Sequence, residues 1–226
     1  PPLLLALHPV VYRVWGLSLP IMIYLAAVSI AYCWGEGIGR LACISFGCCY
    51  GKPLSEAPLL LQKCFRHWHF IFFGQTRKIA YADHLDEVPV VPIQALTAVL
   101  LCLTALAGLY LYLKGYFTTA FTLSLTISQL WRFISEFLRA DYRGRGRISV
   151  YQYMSLGAVA YGGLIAIGLP TAQPPVTVQI VAGLKVFWHP FMLLFIQALW
   201  LAAFIYTGKS KVTGSTIEFH VHHHRI

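Results

Sequence analysis

Arg132, Glu136 and Arg139 stand in the segment FTLSLTISQLWRFISEFLRADYRGRGR at spacings of four and three. On a helix that spacing puts them on one face, which Ser128 extends by a further turn. An ionised group deep in hydrocarbon costs about 2.5–3.5 kcal/mol on insertion scales, so such residues usually face a protein interior or a wet cavity. Two readings follow. Arg132 and Glu136 form an intrahelical pair while Arg139 snorkels to headgroups. Alternatively, two guanidiniums flank an orienting carboxylate and make a site for phosphate, which suits their planar fork of donors. In a membrane the anion at hand is a phospholipid headgroup, to which Arg143, Arg145 and Arg147 add general attraction.

A second group lies in GRLACISFGCCYGKP, residues 39–53. Arg40 follows Glu36 by one turn and is either an interface anchor or another phosphate ligand. Beside the Arg132 segment the second reading is favoured. The glycines of GEGIG are expected to let backbones approach closely. Of six cysteines, Cys33 and Cys102 read as packing residues and Cys64 is isolated, so only Cys43, Cys48 and Cys49 cluster. Their C-x4-CC spacing is not a usual zinc pattern, even with His67 or His69 added, and no metal or cofactor is expected.

The elements that must position these residues are membrane helices. The chain has 226 residues, 58% hydrophobic and only 11% charged, and a mean hydropathy of +0.66. Soluble domains carry about 25% charged residues, so a water-facing surface is excluded. Five apolar stretches approach the roughly 20 residues a span requires: Leu17–Trp34, Ile93–Leu113, Phe117–Leu138, Val150–Leu169 and Val186–Tyr206. Pro1 to Val14 form a shorter apolar segment. The expected fold is an all-α polytopic helical bundle with one membrane domain over residues 1–208. Within it, 35–92 forms an interfacial cap in which the aromatic run CFRHWHFIFFG lies at headgroup depth. The histidine-rich tail, 209–226, reads as disordered or as an expression scar. No cleavable signal peptide is visible, and the missing initiator Met leaves open whether residues precede Pro1.

The formal charge of +9 is concentrated in 40–78, in 139–147 and at Lys209 and Lys211. The positive-inside rule would place that side in the cytoplasm. No basic, aromatic-interleaved soluble module suggests a nucleic-acid partner.

GRLACISFGCCYG and RFISEFLR resemble the two signature segments of bacterial prolipoprotein diacylglyceryl transferases, G-R-x-G-N-F-x-N-x-E-x-x-G and R-F-x-x-E-F-x-R. VPIQAL falls between them, similar to the family's P-x-Q-L-Y-E, and VYQYMSL is similar to its G-Q-x-x-S. The resemblance runs from about Trp34 to Gly163, and the G-C-C-Y-G form looks like a divergent branch. It implies a membrane enzyme of the bacterial inner membrane, moving a diacylglyceryl group from phosphatidylglycerol to a lipoprotein cysteine. It also implies a site facing outward, against the positive-inside count. Arg40, Arg132 and Arg139 match the family's arginines and Glu136 its carboxylate, which orients an arginine or accepts a proton. Gly39, Cys43, Gly51, Gln94 and Arg139 fall to substrate binding.

The departures are equally specific. Cys43 stands at the signature asparagine and Cys48 at its glutamate, while Leu96 and Thr97 replace the Tyr and Glu of Q-L-Y-E. The family's H-G-G segment, which precedes the signature and carries a catalytic histidine, cannot be placed: it either lies in a missing N-terminal part or is absent. A cysteine beside an arginine can be activated as a nucleophile, which makes Cys48 a candidate; alternatively Cys48 and Cys49 pack at a tight turn between Gly47 and Gly51. The expected function is phospholipid-dependent diacylglyceryl or acyl transfer to a thiol acceptor. The alternative is an inactive lipid-binding or structural membrane subunit that retains the phosphate site. A small-anion transporter is disfavoured by the lack of paired, interrupted spans in two halves.

Overall fold

A computed structural model describes residues 21–141, 148–169 and 179–209, with side chains through residue 206. Residues 1–20, Arg143, Arg145, Arg147, the loop at 170–175 and the tail beyond 209 lie outside the described residues.

Helix α1 spans Ile21–Phe46, 26 residues or about 39 Å. It runs twelve residues past Trp34, so the loop expected from Gly35 begins only at Gly47. Two contacts hold this glycine-rich extension helical. Glu36 pairs with Arg40 one turn on. At Gly37 an added Cβ would lie 3.0 Å from the Cys102 sulfur and 3.3 Å from the Ala98 carbonyl oxygen. The expected close approach is therefore made by Gly37; a Cβ at Gly35 or Gly39 would meet nothing within 4 Å.

Helices α4 (Ile93–Leu113) and α5 (Phe117–Glu136) form a hairpin through Gly115, whose φ of 83° suits glycine. α1 packs on both, and α6 (Val150–Gly168) packs on α5. Small residues permit this approach. A Cβ on Gly108 of α4 would come within 2.5 Å of the Ser124 hydroxyl of α5, and one on Gly162 of α6 within 2.0 Å of Leu125. The Cys33 thiol donates to the Ser124 carbonyl at 3.5 Å, in keeping with a packing role.

Among the described residues α1, α4 and α6 are each long and apolar enough to cross a bilayer. α5 has the length, 20 residues, but its serines and threonines lower its hydropathy below that of its neighbours. Ser124, Ser128 and Ser135 are buried inside the bundle. The last apolar stretch is a bent pair, α7 (Ile180–Phe187) and α8 (Pro190–Lys209), meeting at 70°. Pro190 explains the break: it lacks an N–H to continue α7, yet its fixed φ suits the first position of a helix. By their contacts, the described residues up to 169 and those of 179–209 fall into two compact units.

Between α1 and α4 lies a small folded cap with a 3₁₀ turn (Leu54–Glu56) and helices α2 (Leu59–Phe65) and α3 (Lys78–Asp83). Its core is Tyr50, Phe72, Ile79 and Val90. Phe70 and Val90 exchange backbone hydrogen bonds at 3.1 and 2.9 Å, which sets an extended alternation through the aromatic run. Phe72 turns inward at 2% exposure, whereas Trp68 and Phe73 stand out at 79% and 62%. The run expected to lie at headgroup depth thus divides between a cap core and an exposed apolar edge. Segment 50–54 runs beside 138–140 through Lys52 N–H to Leu138 (2.9 Å) and Ala140 N–H to Tyr50 (3.2 Å). Val91 N–H to Lys52 (3.0 Å) ties its other side to the start of α4.

Candidate functional site

Tyr32, Glu36 and Arg40 follow one another at intervals of four on α1 and make a polar ladder along one face. Glu36 holds Arg40 in an ion pair whose side chains are 16% and 18% exposed. The Tyr32 hydroxyl lies against Glu36. It also accepts a hydrogen bond from Arg132 Nη1 at 3.1 Å, and the Arg132 guanidinium sits 5.6 Å from the Tyr151 ring centre. Arg132 is therefore placed by three helices, α1, α5 and α6. Next to it, Trp131 Nε1 donates to Thr97 Oγ1 at 2.9 Å and fixes the end of α5 on α4.

Glu136, the last residue of α5, accepts from Ser149 Oγ at 3.3 Å. Ser149 caps α6 in a reciprocal box with Gln152, whose side chain also donates to the Phe133 carbonyl at 3.0 Å. The carboxylate thus touches the point where α6 begins.

Arg139 does not share that helix face. α5 ends at Glu136, so Arg139 leaves the helical register and pairs through its backbone with Gly51 in an antiparallel bridge. Its guanidinium grips Asp141 with two bonds of 2.7 and 2.9 Å, and the two side chains are 6% and 9% exposed. A buried bidentate pair is incompatible with snorkelling to headgroups. Burial opposes the guanidinium's charge, but Asp141 and Cys49 outweigh it and raise the Arg139 pKa.

The three clustered cysteines meet at a turn. Gly47 and Cys49 take left-handed φ values of 59° and 55°, and Cys48 N–H bonds the Cys43 carbonyl at 3.0 Å. The Cys43, Cys48 and Cys49 sulfurs all lie within 4.8 Å of one another, and the thiols are free. His67 and His69 are not in the group; His69 Nδ1 is instead 3.2 Å from the Phe65 carbonyl. Hydrogen bonds with Cys43 and Cys48, followed by the Arg139 and Arg40 guanidiniums, push the Cys49 thiol down from its ordinary range against the effect of burial. Hydrogen bonds with Cys43 and Cys49, followed by burial, push Cys48 up. The three thiols act as one hydrogen-bonded group, and Arg139 and Arg40 lend it positive charge at Cys49.

Gln94 is buried and donates from Nε2 to the Cys48 carbonyl at 3.0 Å, while its Oε1 has no hydrogen-bond partner among the described residues. At Gly51 a Cβ would fall 2.3 Å from the Val91 carbonyl oxygen, so this position needs glycine for packing. Gly39 is exposed on α1. One chain of neighbours therefore joins Arg132, Tyr32, Glu36, Arg40, Cys49, Arg139 and Asp141. Tyr32 and Asp141 were missed by sequence reasoning, and Cys49 was read only as a member of the cysteine cluster. The only local signal was the four-residue repeat Tyr32–Glu36–Arg40.

The family model for prolipoprotein diacylglyceryl transferase matches residues 3–168. The chain belongs to this family. No curated protein and no solved structure matches it. The prolipoprotein diacylglyceryl transferase family is one of membrane transferases that modify lipoproteins, and the long apolar helices agree with an integral membrane protein. The matched residues include every member of the network above; α7 and α8 lie beyond them.

Proposed function

We propose that the chain transfers a diacylglyceryl (or acyl) group from an anionic phospholipid to a thiol acceptor such as a lipoprotein precursor, in the bacterial inner membrane. Arg40 and Arg132 hold the donor's phosphate, and Arg139, whose Nε and Nη2 are taken by Asp141, adds its positive charge to the site. The observation that carries this reading is Arg40 Nε, a buried donor with no hydrogen-bond partner among the described residues. A buried unpaired donor costs about 1–3 kcal/mol, a cost that a bound phosphate oxygen removes.

The chemistry explains why several guanidiniums are needed. The acceptor sulfur attacks the sn-3 glyceryl carbon, the carbon–oxygen bond to phosphate breaks, and glycerol phosphate leaves with the electron pair. Donors fixed on the phosphate stabilise the charge that develops on the leaving oxygen. Tyr32 and Glu36 orient Arg132 and Arg40. Glu136, anchored by Ser149, orients the site or accepts a proton. Gln94 and Gly51 shape the turn beside the phosphate.

The test uses the purified full chain with phosphatidylglycerol vesicles and a lipobox peptide, the products being followed by mass spectrometry. A thioether-linked diacylglyceryl peptide is expected, with the rate falling by about 10²–10³ in Arg132→Ala. No lipidated peptide from the wild type would sink the transferase reading. A second reading, a lipid-binding subunit without catalysis, is favoured by Cys43, Cys48, Leu96 and Thr97 standing where the family signature carries polar residues. It predicts phospholipid that co-purifies and is lost in Arg132→Ala, with no turnover.

A further inference from the structure

The turn at residues 47–49 does something an extended chain cannot. Adjacent side chains in extended backbone point in opposite directions. Here left-handed conformations at Gly47 and Cys49 bring the Cys48 and Cys49 sulfurs to the same side as Cys43, one turn back on α1. A non-glycine residue in that conformation is uncommon and is kept only where its surroundings enforce it. The enforcement is visible: Cys48 N–H to the Cys43 carbonyl, Gln94 to the Cys48 carbonyl, and the Gly51–Arg139 bridge.

We propose that Cys43, Cys48 and Cys49 form a three-thiolate site for a divalent metal of zinc type, whose fourth position takes the acceptor thiol. Sulfurs bound about 2.3 Å from a common zinc lie about 3.8 Å apart, and the three sulfurs already fall within 4.8 Å of one another. Three thiols and no oxygen or nitrogen donor select a soft or borderline ion over magnesium or calcium. All three residues are half-buried, so a fourth ligand can reach the ion from outside. Three thiolates and a divalent ion carry one net negative charge. Arg139 and Arg40, which both act on Cys49, face that charge. Sequence spacing hid the arrangement because the turn, rather than a C-x-x-C interval, brings the sulfurs together.

The site stands on this geometry alone; its part in catalysis rests on the transferase reading above. There it supplies what the substituted signature positions no longer provide, a means of ionising the acceptor. The acceptor thiol gives its proton to water on binding the ion. Its sulfur then attacks the sn-3 carbon, the bond to phosphate oxygen breaks, and glycerol phosphate departs with that electron pair. No oxidation state changes.

The experiment titrates the reduced, metal-free full chain in detergent with Co²⁺. Near-ultraviolet thiolate-to-cobalt charge transfer and tetrahedral visible bands are expected at one ion per chain, and Zn²⁺ should bleach them. Each of Cys43→Ser, Cys48→Ser and Cys49→Ser should abolish or shift the bands, while Cys64→Ser leaves them unchanged. Because misfolding of a variant would also remove the bands, alkylation of the wild type is read in parallel: Zn²⁺ should shield these three thiols and leave Cys64 reactive. Absence of both the bands and the shielding overturns the site. Adding a lipobox peptide should perturb the cobalt spectrum, and its Cys→Ser analogue should not. Bands that ignore the peptide, or full transfer by chelator-treated enzyme, overturn the catalytic role. Bands that respond to the peptide without any lipid transfer support the site and count against the transferase reading alone.

Discussion

The hydroxyl of Tyr32 accepts a hydrogen bond from Arg132 at 3.1 Å, joining the middle of α1 to the last turns of α5 across 100 residues of sequence. A hydrogen bond to a charged group contributes about 1.5–3 kcal/mol when buried. Tyr32 is partly exposed, so the lower part of that range applies. Tyr32→Phe should weaken phospholipid binding by several-fold to about tenfold and leave helix content unchanged. Lipid titration by fluorescence, with circular dichroism as control, reads both; unchanged binding would show that Tyr32 does not position Arg132.

The Arg139–Asp141 pair is buried on both sides. Removing one partner of such a pair typically costs about 3–5 kcal/mol, because the other charge is left stranded. Asp141→Ala should therefore lower Tm markedly. Replacing both together, as Arg139→Met with Asp141→Leu, should restore much of the loss in stability while lipid binding stays weak. If the double variant is no more stable than Asp141→Ala, the stranded charge is not the cause.

Two glycines of the same signature should behave in opposite ways. Gly51→Ala places a Cβ 2.3 Å from a backbone carbonyl that cannot swing aside, and should destabilise the cap or prevent its closure. Gly39→Ala meets open space on an exposed helix face and should stabilise α1 by up to about 1 kcal/mol. Thermal melts compare them directly. Loss of lipid binding in a stabilised Gly39→Ala protein would place substrate against that face.

Tyr50 gives the cap a dependence on alkaline pH. Burial, and then its hydrogen bond to Asp83, raise the phenol pKa above its ordinary value near 10. The folded cap therefore holds this proton more tightly than the unfolded chain does. The contribution is complete below about pH 10 and is lost as pH rises from there through the folded-state value. Protease sensitivity of segment 47–92 should increase over that range. Tyr50→Phe should be less stable at neutral pH, having lost the Asp83 contact, but should show a flatter alkaline arm.

The apolar elements were legible because burial in lipid writes itself into composition. Ile93–Leu113 was read with the ends it has, and Phe117 and Val150 were read correctly as helix starts. GEGIGR was read as loop because glycine weakens helices locally, and only contact with Cys102 and Ala98 shows why Gly37 is tolerated. Arg132, Glu136 and Arg40 were legible as charges out of place. Glu36 was legible as the neighbour of Arg40, but Tyr32 beside Arg132 and Ser149 beside Glu136 were not, because they come from other segments whose directions no local spacing records. Arg139 was placed on the helix face of Arg132 and Glu136 because the four-and-three spacing continues a helix that stops at Glu136.

The hydroxyls of α5 bear on how the chain enters a bilayer. Thr122, Ser128 and Ser135 bond carbonyls of their own helix, which lessens but does not cancel their aversion to hydrocarbon. Alone, this helix partitions poorly, and Arg132 makes it worse. In the assembled bundle this helix and its C-cap expose chiefly Leu130, Ile134 and Phe137, and the tight Gly115 turn folds it back so that Ser124 meets Gly108 of α4. Biogenesis by this route admits the two helices as one hairpin, so lengthening that turn should trap α5 at the membrane surface and leave the transferase unassembled.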